Sequence, residues 1–172
     1  TYVDVSKLVQ QNSGYYMAVF KNMNTYKRGK FNFSAFLFSG GWFLYRKQYK
    51  PGILLTAAML LLYIGSMLLS YFALNPIMLT ALDTAGISYS DAPYLQLMSA
   101  LTQYLSDNPA QYVLFCLPLL LYALMLSIMV FSGIRANRMY MKHCIRTVQE
   151  IKRTSHSEDD AAAAYSARGG VN

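Results

Sequence analysis

Two long runs of apolar residues, 53–74 and 112–134, dominate the hydrophobic pattern, and each reaches the roughly 20 residues that a helix needs to cross a bilayer. Elsewhere apolar positions recur at helical spacing over shorter stretches. Residues 1–30 read as two amphipathic helices. Val5, Leu8 and Val9 share one face, and Tyr15 or Tyr16, Val19, Phe20 and Met23 share another after a break at Asn12-Ser13-Gly14. Residues 31–50 are aromatic but interrupted at Gly40-Gly41, and the stretch 31–45 is too short to span a bilayer. Basic residues close it at both ends, so it suits a membrane interface or a re-entrant turn, with Trp42, Tyr45 and Tyr49 as an aromatic belt; an aromatic cluster packed against the spans fits equally.

Between the two runs, residues 75–111 form an external loop with its own start signals. Asn75-Pro76 opens a short helix that Gly86 stops, and Asp91 before Ala92-Pro93 opens another, with Tyr94, Leu97, Met98, Leu101 and Leu105 on one face. Asn108-Pro109 opens the helix of the second span. That helix is expected to run on through 135–154, which holds neither Gly nor Pro. There Arg135, Arg138, Lys142, Arg146 and Arg153 form one stripe beside an apolar one of Ile134, Met141, Ile145 and Val148. Residues 155–172 turn acidic and Ala-rich and read as a flexible tail. The pattern as a whole predicts an all-α integral membrane protein, a two-span helical hairpin with short amphipathic helices.

Charge orients the hairpin. Eight Lys and Arg fall between Lys7 and Lys50, seven between Arg135 and Arg168, and none between, so the net charge of +7 is concentrated at the two ends. Basic residues collect on the cytoplasmic side of membrane spans, which places both termini inside and the loop outside. The apolar content of 55% fits this class better than a soluble nucleic-acid binder, and the basic stripe carries no aromatic interleaving, so no nucleic acid is expected as a partner. The stripe suits anionic lipid headgroups or an acidic protein partner, beyond topology alone. The chain opens at Thr1 without Met, so residues upstream are expected to have been trimmed or left out.

Candidate chemistry is sparse. No Asp, Glu, Lys or Arg lies within either span, where a charge would mark an ion path. Ser66-x-x-x-Ser70 and Ala123-x-x-x-Ser127 are spacings that allow close helix packing, and Pro118 marks a kink. Cys116 and Cys144 are too far apart to pair, and neighbouring His143 and Cys144 diverge around a helix. No cofactor or metal is expected, and no phosphate loop or catalytic triad stands out.

The run Lys30-Phe31-Asn32-Phe33-Ser34-Ala35-Phe36-Leu37-Phe38, followed by Trp42-Phe43-Leu44-Tyr45-Arg46-Lys47-Gln48-Tyr49, resembles the signature of a bacterial membrane family, domain of unknown function 2628. Asn12 to Tyr16, Phe20-Lys21, and Gly133 to Tyr140 with His143 agree with it. Gly40-Gly41 departs from the Gly-Pro common in that family, and the zinc ribbon that often precedes the domain is not in this sequence. The resemblance implies a multi-pass protein of the bacterial cytoplasmic membrane and carries no activity with it.

The resulting expectation is a non-enzymatic accessory or scaffolding subunit, binding lipid or other membrane subunits, or further copies of itself, through Trp42, Tyr45, Arg46, Lys47, Arg135, Arg138, Lys142 and Arg146. The alternative is an oligomeric channel or transporter subunit for a small solute, lined by Ser66, Ser70, Tyr122 and Ser127. A lipid-modifying enzyme would have to draw on Asp83, Asp91 or His143.

Overall fold

A computed structural model describes residues 2–88, 90 and 92–172. Among these, every regular element is helical. The chain divides into two compact units, residues 1–58 with 127–172, and residues 59–126.

The first unit begins with α1 (Tyr2–Val9) and α2 (Ser13–Tyr26). The break between them lies at Gln10 and Asn12, both left-handed, and of the two candidate tyrosines Tyr16 turns inward while Tyr15 stays exposed. In the aromatic segment, α3 (Phe33–Phe38) and α4 (Gly40–Tyr45) meet at Ser39, whose φ is 44°. Gly40 follows because the backbone of another helix presses on it: a Cβ there would lie 2.6 Å from the Thr56 nitrogen and 2.7 Å from the Gly52 carbonyl oxygen. That second helix is α5 (Tyr49–Leu69), which carries Pro51 in its first turn, where no backbone donor is lost.

α8 (Pro109–Thr154) runs 46 residues, unbroken at Pro118. Its C-terminal part, residues 135–154, differs from the expected apolar stripe. The buried face is Ala136, Asn137, Tyr140, Cys144, Val148 and Ile151, whereas Ile134 is exposed and Met141 and Ile145 are half-buried. Small and amphipathic side chains take the inner face because the aromatic rings of α2 and α4 fill the space beside them.

The tail also differs from expectation. Residues expected to be flexible form α9 (Glu158–Arg168), which packs on α1. Ser157 caps it by accepting from the Asp160 amide at 3.1 Å, Glu158, Asp159 and Asp160 complement the helix dipole, and Tyr165 is buried. Lys152 of α8 pairs with Asp4 of α1 at 2.6 Å.

In the second unit, α5 passes into a π-helical turn (Ser70–Leu74) and directly into α6 (Asn75–Thr84). Asn75 is therefore not a helix start but lies inside a continuous helix, its amide donating five residues back to the Ser70 carbonyl. Pro76 has no amide to give, and the wider turn just before it absorbs the mismatch. Gly86 ends α6 with φ of 66°, and the Ile87 and Gly86 amides return to the Leu82 and Asp83 carbonyls in a Schellman motif. Asp91, the expected cap of the next helix, lies outside the described residues. In α7 (Tyr94–Asp107) Leu101 and Leu105 pack with Ile77 and Ala81 of α6, while Tyr94 is exposed.

Candidate functional site

The first unit holds a half-open cleft of about 1000 Å³ whose walls come from α2, α3, α4 and the loop before α3. A polar latch sets its shape. Asn32 caps α3 by accepting from the Ala35 amide at 2.9 Å and donates to Asn137 Oδ1 at 2.9 Å, and Asn137 donates to the Lys30 carbonyl at 2.8 Å. The Asn32 amide also reaches the Gly133 carbonyl at 2.9 Å, and a Cβ on Gly133 would collide with the Phe31 ring. Ser39 and Ser132 meet at 3.2 Å one turn away. These bonds hold the aromatic segment against α8, and both asparagines bond through their side-chain oxygen and their side-chain nitrogen.

Behind the latch the rings interlock. Tyr16 and Tyr140 meet edge to face with centroids 5.0 Å apart, Trp42 lies 5.9 Å from Tyr140, and Phe43 lies 5.2 Å from Trp42. Into this layer projects Arg46, 4% exposed. Its guanidinium carbon stands 4.6 Å from the Tyr16 centroid, 5.3 Å from Tyr140 and 5.6 Å from Tyr45. Its Nη1 donates to the Gln11 carbonyl at a long 3.4 Å, and its Nε is buried without an acceptor. Among the described residues, no carboxylate pairs with it.

Desolvating a guanidinium costs several kcal/mol, and each desolvated ring face returns about 2 kcal/mol. The tyrosines therefore offset much of the cost but leave the Nε donor without an acceptor. Nor can the neighbours supply a negative charge. Burial pushes the Tyr16 and Tyr140 phenols up against the pull of Arg46, and it pushes the Cys144 thiol up to about 12.

The residues singled out from sequence are dispersed. Trp42 and Arg46 are buried in the unit core instead of standing on its surface. Tyr45 is partly exposed and donates to Gln11 Oε1 at 3.2 Å. Lys47, left-handed at φ of 57°, donates to the carbonyls of Gly169 at 2.6 Å and Ala167 at 3.3 Å, closing the C-terminal end of α9. Arg135, Arg138, Lys142 and Arg146 are exposed, with Arg135 6.0 Å over Phe131.

Ser66 is buried and bonds the Tyr63 carbonyl at 2.8 Å, Ser70 opens the π turn, and Ala123 and Ser127 are exposed. His143 is half-buried, which lowers its pKa despite Glu150. Among the described residues no cluster of three His, Cys, Asp or Glu could hold a metal.

Sequence reasoning missed Tyr16 and Tyr140 as partners of Arg46, and the Asn32–Asn137 pair. The signal present was an asparagine on the inner face of α8, beside Ala136 and one turn before Tyr140: a polar side chain there needs a partner. Neither the curated proteins nor the solved structures compared with the chain contain a match. A family model described as "Protein of unknown function (DUF2628)" matches residues 8–146, which includes the latch, the Arg46 cage and both apolar runs, and the chain belongs to that family.

Proposed function

We propose that the chain crosses the bacterial cytoplasmic membrane twice, at residues 53–74 and 112–134, with both termini on the cytoplasmic side, and that it serves there as a non-enzymatic accessory or scaffolding subunit of a larger assembly. The observation that carries the membrane reading is the exposure of the apolar runs. Two helical stretches, Tyr49–Thr84 and Pro109–Thr154, are long and apolar enough to span, and only 11% and 6% of their most apolar windows are buried. Leu54, Leu61, Phe72, Leu119 and Leu120 are each more than 60% exposed. Water does not tolerate a surface of this extent, whereas lipid favours it.

The accessory reading rests on the first unit, which presents Tyr2, Tyr26 and Tyr49 together with Arg135, Arg138 and Arg146 on its surface, residue types that anchor interfaces. Purification from the native membrane in mild detergent, with co-purifying chains identified by mass spectrometry, tests it. A stoichiometric larger partner is the expected result. A homo-oligomer without other chains would contradict it and favour the channel reading, and a lone monomer would contradict both.

A further inference from the structure

The cleft beside Arg46 combines three features that one ligand class satisfies together. Its floor holds a buried cation with an unaccepted donor and, among the described residues, no acid to neutralise it. A second cation, Lys30, stands on its lining, exposed and with its ammonium 5.0 Å from the Tyr15 centroid, where the ring holds it without discharging it. The lining also includes Phe33 and Phe38, residues 72% and 69% exposed, and the neighbouring Leu37 is 61% exposed. Two positive charges and an apolar rim describe an amphiphile with an anionic head. A free anion leaves the rim uncovered, and a neutral lipid leaves the charges unanswered.

We infer that this cleft binds the headgroup of a phospholipid carrying net negative charge, with its phosphate drawn to Arg46 and Lys30 and its acyl part lying over Phe33 and Phe38. Zwitterionic choline lipids fit poorly, because the tyrosine cage that could receive a quaternary ammonium is already filled by the guanidinium of Arg46. The site is distinct from the exposed stripe of Arg135, Arg138, Lys142 and Arg146, where Arg135 and Arg138 line a separate and smaller cavity of about 280 Å³. Arginine suits the role because its guanidinium stays charged at working pH and is more weakly hydrated than an ammonium.

The inference rests on the membrane reading, and one protein reports on both. Trp42, the single tryptophan, lines the cleft. The full chain in neutral-detergent micelles is titrated with dioctanoyl phosphatidylglycerol, dioctanoyl phosphatidylcholine and inorganic phosphate while Trp42 emission is followed. Flotation with phosphatidylcholine vesicles tests membrane insertion separately.

The expected result is a saturable change with phosphatidylglycerol at least about tenfold tighter than with phosphatidylcholine, and none with inorganic phosphate at equal concentration. Lys30→Gln, on an exposed side chain, should weaken it about fivefold, the value of one surface charge, and Arg138→Gln should leave it within about twofold. Arg46→Gln should abolish it, and Lys30→Gln keeps the test decisive should that variant misfold.

Equal affinity for phosphatidylcholine, an equal response to inorganic phosphate, or an equal loss in Arg138→Gln would each overturn the inference. A chain that floats without phosphatidylglycerol selectivity would refute the site alone. A chain that does not float would refute the membrane reading.

Discussion

Side chains in the first unit reach far along the chain, whereas those in the second bond almost at home. Asn32 finds Asn137, Ser39 finds Ser132, and Lys47 finds Gly169. In the second unit Ser66, Thr80, Thr84, Ser99, Thr102 and Asn108 all bond carbonyls three or four residues back. The first unit is thus specified by partners that must meet, around a core of Phe20, Phe43, Tyr140 and Ile151. The second is a set of helices that satisfy their own backbones and leave apolar side chains outward, with a small cluster around Ile77 and Leu101. Such an arrangement supports the proposed bilayer setting, a medium that solvates apolar surface.

Paired substitutions can break this contrast. The largest expected effect is Phe20→Ala, which empties a fully buried position and should destabilise the first unit by about 3–5 kcal/mol. Leu61→Ala, at a 72% exposed position of the second, should cost less than about 1 kcal/mol in lipid or detergent. Helicity measured through denaturant titration compares them, and similar costs would end the contrast.

Next come two glycines. Gly40→Ala drives a methyl into the Thr56 and Gly52 backbone and should cost about 1–3 kcal/mol. Gly65→Ala meets nothing within 4 Å and should stabilise its helix by up to about 1 kcal/mol. Thermal melts of the two variants should therefore shift in opposite directions.

Much of this contrast could be read in the sequence, and the reasons for the rest are physical. The apolar runs announce themselves because nothing interrupts them, and the N-terminal helices because Val5, Leu8, Val9, Val19, Phe20 and Met23 keep helical spacing. Arg46 was read as a surface group because an arginine usually is one, and its cage draws on Tyr16 and Tyr140, 30 residues before it and 94 after it. The tail was read from composition, which signals low hydrophobicity; the capping Ser157 and the helix-favouring alanines were local signals for α9 that composition hides. The π turn arises from one missing amide at Pro76, a defect that looks the same in sequence as a helix start.

Smaller effects sharpen the picture of the first unit. Lys47→Ala removes the ammonium that closes α9 and keeps the left-handed backbone cost, so α9 should become cleavable by protease with a loss of about 1 kcal/mol. Lys47→Gly should release α9 equally while recovering most of that stability, because glycine adopts the conformation freely.

The smallest effect is that of pH on α1. The hydrogen bond from Lys152 holds the Asp4 carboxyl below its ordinary 3.8, and the same bond raises Lys152 above 10.5. The Asp4 contribution is present above 3.8 and lost as pH falls through the lowered value. The Lys152 contribution is present below 10.5 and lost as pH rises through the raised one. Amide protection of α1 should be level between these limits and fall beyond each, and Asp4→Asn should flatten both limbs.

The central claim, that the two apolar runs cross a membrane and leave both ends on one side, is tested most directly by labelling intact cells with an impermeant maleimide. Cys144 is buried with its thiol pushed up to about 12, and Cys116 lies within the second run, so both native thiols should stay silent. With one cysteine introduced at an exposed position, Ser99→Cys in α7 should react in intact cells, and Ser166→Cys in α9 only after permeabilisation. If both positions react from outside, or neither does until the cells are opened, they share a side and the two-span account is contradicted.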